Sequence, residues 1–413
     1  MSDVSQERLA NHIQIISGFA FASELFSTER GLPLIRIRDL GKSKTEVRYS
    51  GAFKEIYAVD DNDILIGMDG DFTAVKWSGG RALLNQRVCK VEPASTNLDK
   101  EYLYHWLQPK LDEIHRKTPQ TTVRHLSAKD IEKIELPFFP VNDQRRIAEI
   151  LDTLDETIQK TEQLIAKLKQ IKQGLLHDLL TRGIDENGQL RDPIANSEQF
   201  KDSVLGRIPK EWQIKPLKDV AIKIQDGTHF SPISKEGPFR YITSRNIRFG
   251  HMDLTESGWI SASEHKSIYA RCDIKKGDIL LTKDGANTGN AAINYLEEEF
   301  SLLSSVAFIR CEPSAHSPEY ILQYLLSPIG QYRLKDMMSG LAITRLTLEK
   351  IKLFIVPIPS AQEQLRIANL LEQHDQRAIK EEELKNKLRR LKNGLMQDLL
   401  TGKVRVNIDK EQG

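Results

Sequence analysis

The residue patterns in this chain that could do chemistry each fail a simple test. Gly41-Lys42-Ser43 has the form of the tail of a phosphate-binding loop, but Arg36 stands where that loop needs its leading glycine. Glu383-Leu384-Lys385 has the acidic-x-lysine spacing of a nuclease, yet it falls inside a long apolar-striped segment, where it reads as a solvated helix face. The ten histidines show no metal-ligand spacing, so no metal site is expected. Cys89, Cys272 and Cys311 are too scattered for a disulfide framework or a CxxC motif, and fit a reducing cytoplasm. No Asn/Asp-Pro-Pro-Tyr/Phe tetrapeptide of an amino-methylating centre is present, and no GxGxxG opens a helix. These patterns predict a chain that does not catalyse and holds no cofactor.

The elements that would carry binding residues are duplicated. Residues 126–180 align without gaps on 346–400 at an offset of 220. Gln144, Arg146, Ile147 and Ala148 recur as Gln364, Arg366, Ile367 and Ala368, and Asp178-Leu179-Leu180-Thr181 as Asp398-Leu399-Leu400-Thr401. Upstream the repeat continues with small insertions: Asp63-Ile64-Leu65 with Asp278-Ile279-Leu280, Asp69-Gly70 with Asp284-Gly285, Gly18-Phe19 with Gly227-Thr228. Each half is thus a globular part followed by a helical part. The globular parts have diverged; the helical parts have not. Short β-rich runs between glycine loops give the globular parts a mixed α/β character. Helices are expected near Leu98 and Ser317, and a third after Ser127-x-x-Asp130, a capping box that is incomplete in the copy at Thr347-x-x-Lys350.

From Gln144 to Leu180 there is no proline, and apolar residues fall every three or four positions, as they do again from Gln364 to Leu400. Each stripe would span ~55 Å as a helix. Two arrangements would bury it: each helix against its own globular part, or the two helices against each other as a coiled coil. Connectivity makes the second arrangement antiparallel, with His374 in place of Leu154 as a weak point in the seam. The fold class expected is therefore α+β: two mixed α/β domains joined by a long antiparallel two-helix coiled coil, with a pseudo-twofold internal repeat. The boundaries expected are 1–142 and 205–358 for the globular domains, 143–180 and 359–403 for the helices, 181–204 for a polar linker and 404–413 for a tail.

Residues 136–151 (LPFFPVNDQRRIAEIL) and 356–371 (VPIPSAQEQLRIANLL) resemble the conserved region that follows each target recognition domain in type I restriction-modification specificity subunits. Gly394–Val406 is similar to that family's C-terminal signature, and Asp202–Trp212 to its entry into the second recognition domain. The first domain lacks the Ile-Pro-x-x-Trp lead-in. The resemblance implies a non-catalytic subunit whose two recognition domains each read half of a bipartite double-stranded DNA target, with the coiled coil fixing the unread gap. It implies DNA methyltransferase (modification) subunits, two of them, bound to the helical regions and methylating adenine, and a restriction motor-nuclease subunit. S-adenosylmethionine, ATP and Mg belong to those partners. Because the globular parts differ, the target should be asymmetric. Another methylation or phage-defence complex, or a coiled-coil scaffold without DNA contact, are the alternatives.

DNA contacts are expected from basic or amide side chains on loops, since Arg pairs with guanine and Asn or Gln with adenine in the major groove. The candidates are Arg36, Arg38, Lys42, Lys44, Lys76, Arg81 and Arg124 in the first domain. In the second they are His229, Arg245, Asn246, Arg248, Lys283, Asn287, Thr288, Asn290 and Arg345. The glycine-bearing loop Lys283–Asn290 is the best of them, because its backbone can approach a phosphate or base edge; a hairpin turn held by Asp-Gly and Asn is the structural alternative. Gln144, Arg146, Gln364 and Arg366, which recur outside the apolar stripe, are expected to face the partner subunits or to hydrogen-bond the preceding loop. Net charge is +1, from 59 basic and 58 acidic side chains. A protein holding DNA through phosphates alone would be more basic, so weak binding by the isolated chain is expected. No apolar run reaches the ~20 residues of a membrane span, and the N-terminus has no signal-peptide pattern.

Overall fold

The computed structural model describes residues 5–118, 124–338 and 345–406, which fall into two compact units. The first comprises residues up to Glu162 together with those from Glu383 onward; the second is Gln163–Glu382. The helices of the described residues are α1 (Lys100–Lys117), α2 (Ala128–Glu132), α3 (Val141–Thr181), α4 (Ala262–Tyr269), α5 (Pro318–Leu326), α6 (Pro328–Met337), α7 (Leu348–Leu353) and α8 (Ala361–Leu399). No described helix is long and apolar enough to cross a membrane.

In the first unit a four-stranded antiparallel sheet runs in the order Ile13–Ser17, Val88–Pro93, Ile64–Gly67, Ala74–Lys76. A mixed five-stranded sheet lies beside it, with Leu32–Ile35 and Ala82–Leu84 paired in parallel. Ile64–Gly67 is buried throughout, as its uninterrupted apolar sequence requires. One face takes α1, whose Leu103, Leu107 and Leu111 recur every four residues and pack with Ile64, Ile66 and Val91. The Asp99 carboxylate accepts from the Glu101 and Tyr102 N–H groups and starts that helix. In the first turn of α2, Asp130 accepts from the Ser127 N–H, completing the capping box.

The second unit repeats this plan. Its four-stranded sheet has the order Ala221–Asp226, Val306–Cys311, Ile279–Thr282, Ala291–Ile293. A three-stranded sheet contains a parallel pair, Phe239–Ile242 with Phe300–Leu302. Ser317 caps α5, and the Thr347 hydroxyl caps α7 without a carboxylate partner at Lys350. Ser5–Arg8 pairs with Glu135–Phe138 as Gln213–Pro216 pairs with Ile355–Ile358. The first unit therefore has this closing ribbon even without the Trp lead-in. The two glycines expected to correspond do so: a Cβ on Gly18 would meet the Asn85 carbonyl oxygen at 1.9 Å, and one on Gly227 the Leu302 carbonyl oxygen at 2.0 Å.

Both ways of burying the helical stripes occur. The start of each helix packs on the core that precedes it: Ile147, Ala148 and Leu151 in the first unit, Ile367, Ala368 and Leu371 in the second. The last turn of each helix joins the other core, with Leu399 and Leu400 in the first and Leu179 and Leu180 in the second. Between these ends the helices pair with each other. In the first unit Asp155 meets Lys392 at 2.5 Å and Glu162 meets Arg389 at 2.5 Å. In the second, Lys169 meets Glu382 at 3.5 Å and Lys172 meets Asp375 at 2.6 Å. Higher numbers on α3 meet lower numbers on α8, so the pair is antiparallel. The second set of pairs is the first displaced by 220 residues. His374 leaves its Nδ1 enclosed without a partner, the flaw expected in this seam.

The expected linker 181–204 is not free chain. Ile184 is buried, and Phe200–Ser203 forms a hairpin with Gly206–Pro209. The cause is Glu363, 3% exposed in the first turn of α8. Its carboxylate accepts from Arg191 Nη1 at 2.6 Å, the Ile184 N–H at 3.0 Å and Trp212 Nε1 at 3.2 Å, which pins the connecting chain to the helix start.

Candidate nucleic-acid interface

Strands that end side by side deliver their loops to one edge. In the second unit Ala221–Asp226, Phe239–Ile242, Ile279–Thr282 and Phe300–Leu302 all end there. The turn at Ser304-Ser305 holds their loops together. The Ser304 N–H donates to the Thr228 carbonyl, the Lys283 N–H to the Ser305 carbonyl, and the Ser244 N–H to the Ser305 hydroxyl. Asn287 Nδ2 reaches the Ser244 carbonyl, and a β-bridge joins Asp284 to Arg345. His229, Phe230, Arg245, Arg248 and Arg345 are exposed around this edge. The loop after Thr282 is therefore brought together with three other loops carrying predicted residues.

Several predicted contacts in this unit are nonetheless occupied inside the protein. Asn246 is buried; its Oδ1 accepts from the Thr243 N–H and its Nδ2 donates to the Asp253 carbonyl, so it shapes the loop and does not face outward. Lys283 is buried too, with its ammonium 2.8 Å from Asp284 and 3.6 Å from Asp226. Asn290 and Thr288 are half-buried; Asn290 donates to the Ile247 carbonyl and Thr288 to the Gly285 carbonyl. These internal bonds share one reason: a polar group under a tight loop must find an internal partner.

The first unit has the same edge, built around the turn Asn85-Gln86-Arg87. The Gln86 N–H donates to the Phe19 carbonyl, the Met68 N–H to the Arg87 carbonyl and the Asn85 N–H to the Ile35 carbonyl. The Gly70 N–H donates to the Arg124 carbonyl, and Asp69 bridges to His125. Arg38, Lys42 and Lys44 are exposed. Arg36 is mostly covered, with its Nε on Asp39, and Arg124 lies against the His115 ring with its own Nε enclosed. Arg81 and Lys76 are not at this edge. Arg81 precedes Ala82–Leu84 at the opposite end, paired with Glu55 and Asp60, and Lys76 pairs with Glu101 and Asp152.

Sequence reasoning missed Gln86, Arg87 and His125, all exposed here. Their signal was the repeat itself, because they lie on the turns equivalent to Ser304-Ser305 and Arg345. Arg87 adopts φ of 71°, a left-handed conformation uncommon for a residue with a side chain.

Of the two roles expected for the helix-start residues, the bond to the preceding loop is the one seen for Gln144, Gln364 and Arg366. Gln144 and Gln364 are fully buried. Gln144 accepts from the Asp99 N–H and donates to the Asn97 and Phe139 carbonyls. Gln364 accepts from the Ser317 N–H and donates to the Ala315 and Pro359 carbonyls. Each amide ties a domain to its helix, and neither offers surface to a partner. Arg366 donates to the Asp185 and Glu186 carbonyls, while Arg146 stays exposed beside Glu149.

One cluster was invisible in the sequence. His105, Asp152 and Asp155 bring three ligand-type atoms within 4.8 Å of one another. Lys76 lies 3.0 Å from Asp152 and Lys392 2.5 Å from Asp155, so ammonium groups already hold the carboxylates and the arrangement is an ion-pair network. Burial lowers the His105 pKa against the pull of the two aspartates. Burial also pushes all three cysteine thiols up to about 12, which leaves them un-ionised and unsuited to nucleophilic work.

One scaffold present twice, with unlike side chains at the same loop edge of each copy, is the build of a recognition protein. The family model described as the type I restriction modification DNA specificity domain matches residues 1–170 and again 209–390. The chain belongs to that family. It is 34% identical over 408 residues to the type I restriction enzyme EcoBI specificity subunit of Escherichia coli, spanning 96% of this chain and 84% of that one. It is 26% identical over 359 residues to the MjaVIII specificity subunit of Methanocaldococcus jannaschii, spanning 86% and 81%. The fold matches the crystal structure of the type I restriction-modification S subunit from M. genitalium with a TM-score of 0.61, at 18% identity and 96% coverage of both chains.

Proposed function

We propose that this chain reads an asymmetric bipartite DNA target, one half-site per recognition domain, and acts without catalysis of its own. Adenine-methylating modification subunits, two of them, dock on its helices and bring S-adenosylmethionine; a restriction motor-nuclease subunit brings ATP and Mg. The whole assembly works in the cytoplasm. The carrying observation is that two copies of one scaffold present different side chains at the same loop edge. Two linked readers bind strongly only where both half-sites occur at the right spacing, and the helix pair sets that spacing.

The helices suggest where modification subunits sit. α3 leaves Ile171 exposed and Leu164 half-buried seven residues before it; α8 leaves Leu384 and Leu391 exposed at the same spacing. These positions correspond at the 220-residue offset, so each helix offers one equivalent apolar stripe, as two identical partners would need. The test is exchange of residues 205–358 for another recognition domain, followed by mapping of methylated adenines in cells carrying the modification subunits. One half of the methylated motif should change and the other stay. An unchanged motif would leave a scaffold without DNA contact. With purified chain alone, DNA binding should be weak and should sharpen when the modification subunits are added.

A further inference from the structure

The Asp-Gly turns at Asp69 and Asp284 occupy equivalent places, and their carboxylates do the same thing with different neighbours. The Leu126 N–H donates to the Met68 carbonyl, as the Leu346 N–H does to the Lys283 carbonyl, which makes Asp69 and Asp284 equivalent. Both carboxylates are partly covered and each touches an exposed arginine. Asp69 Oδ2 lies 3.5 Å from Arg87 Nε, and Asp284 Oδ1 lies 3.1 Å from Arg345 Nε. Both contacts are ones of charge and not directional hydrogen bonds; Asp284 Oδ1 has no hydrogen-bond donor aligned on it.

Which nitrogen is engaged decides what the arginine can do. A carboxylate that draws the Nε edge by charge favours orientations in which the Nη1/Nη2 fork points away from it. That fork is the edge that grips guanine O6 and N7 together. Other basic side chains at these edges are held differently: Arg248 also commits an Nη to Asp253, and Arg36 gives both Nε and Nη2 to Asp39. Each pairing has a second brace. His125 Nδ1 sits 2.5 Å from Asp69 Oδ1, and buried Lys283 sits 2.8 Å from Asp284 Oδ2. Arg87 reaches its place through the left-handed backbone noted above, a local cost that persists only when surroundings hold it.

Resting on the two-reader function above, we propose that Arg87 and Arg345 each specify a guanine in their respective half-sites, with Asp69 and Asp284 as the positioning residues that aim them. The arginine comes from a different neighbour of the shared carboxylate in each domain. Arg87 lies on the turn before Val88–Pro93, and Arg345 on the stretch before α7. The two forks therefore enter their half-sites from different sides of one frame.

The test uses the full chain with its modification subunits, mapping methylated motifs in cells for Arg345→Ala, Arg345→Lys, Asp284→Asn, Arg87→Ala and Asp69→Asn. Arg345→Ala should relax one G·C position of the second half-site by roughly ten- to a hundredfold in discrimination and leave the first half-site unchanged. Lysine, which cannot form the fork, should not restore it. Asp284→Asn should relax the same position to a lesser degree, whereas a merely structural role would weaken all positions alike. Arg87→Ala and Asp69→Asn should act on the first half-site only. The untouched half-site reports that each variant is folded and assembled. An unchanged motif with Arg345→Ala and Arg87→Ala, or a uniform loss at every position, overturns the proposal. If exchange of residues 205–358 still switches a half-site, the two-reader function survives that failure; if the exchange is also silent, both fall.

Discussion

Removing the Glu363 carboxylate should unfasten the chain segment that joins α3 to the second recognition domain. That carboxylate lies 2.6 Å from Arg191 Nη1, and both side chains are nearly covered. Deleting one partner of a buried ion pair costs about 3–5 kcal/mol. Glu211, 3.7 Å from Arg191 and exposed, recovers some of that, which places Glu363→Ala near ~3 kcal/mol. For a unit of this size each kcal/mol moves the midpoint by about 2–4 °C, so the transition of the second unit should fall by roughly 6–12 °C. Asp143 is the repeat equivalent of Glu363 but is only half-buried in its helix's first turn. Asp143→Ala should cost less than about 1 kcal/mol, the worth of an acid near a helix N-terminus. Replacing both partners with apolar residues, Glu363→Leu with Arg191→Met, should recover most of the loss because no charge is then stranded. Calorimetry on the full chain, with trypsin cleavage after Arg182 as a local readout, measures all three. Equal shifts for Glu363→Ala and Asp143→Ala would refute the reasoning.

Three further outcomes are expected. Burial holds His105 below its ordinary value of 6.5, so the folded chain keeps it neutral where the unfolded chain takes up a proton. Its contribution is intact above that value and is lost as pH falls through the folded pKa; urea unfolding of His105→Gln should therefore show a shallower acid decline than the parent chain. In a double-mutant cycle, Asp155→Ala and Lys392→Ala should couple by no more than about 1 kcal/mol, as partly exposed pairs do, and exchanging the two residues should restore stability. Leu384→Glu with Leu391→Glu should halve the modification subunits that co-purify, sparing the one on α3, while leaving the melting profile within about 1 °C; unaltered co-purification would move the docking surface elsewhere.

The helical repeat was legible because a 3.6-residue period and an offset of 220 leave few ways to bury Leu168, Leu179 and their copies. Helices expected near Leu98 and Ser317 start there, capped by Asp99 and Ser317. The loop edge was less so. Lys283 looked like an available cation because its sequence neighbours are small and polar, yet Asp226, far upstream, meets it under the loop. Gln144 and Gln364 left two roles open in the sequence, partner surface or a bond to the preceding loop; they recur because each domain needs the same internal tie to its helix. Arg87 was overlooked because left-handed backbone normally announces itself with glycine. His105, Asp152 and Asp155 carry no common spacing and meet only through packing.

The three enclosed thiols give the molecule its own unfolding reporters. Cys89 lies in the core of the first unit, and Cys272 and Cys311 in the cores of the second. With un-ionised sulfur shut away from solvent, a disulfide reagent can modify each one only after its surroundings open. Quenching the reaction at intervals and locating the label by mass would then time the opening of each head separately. No foreign probe needs to be engineered into either DNA-reading surface.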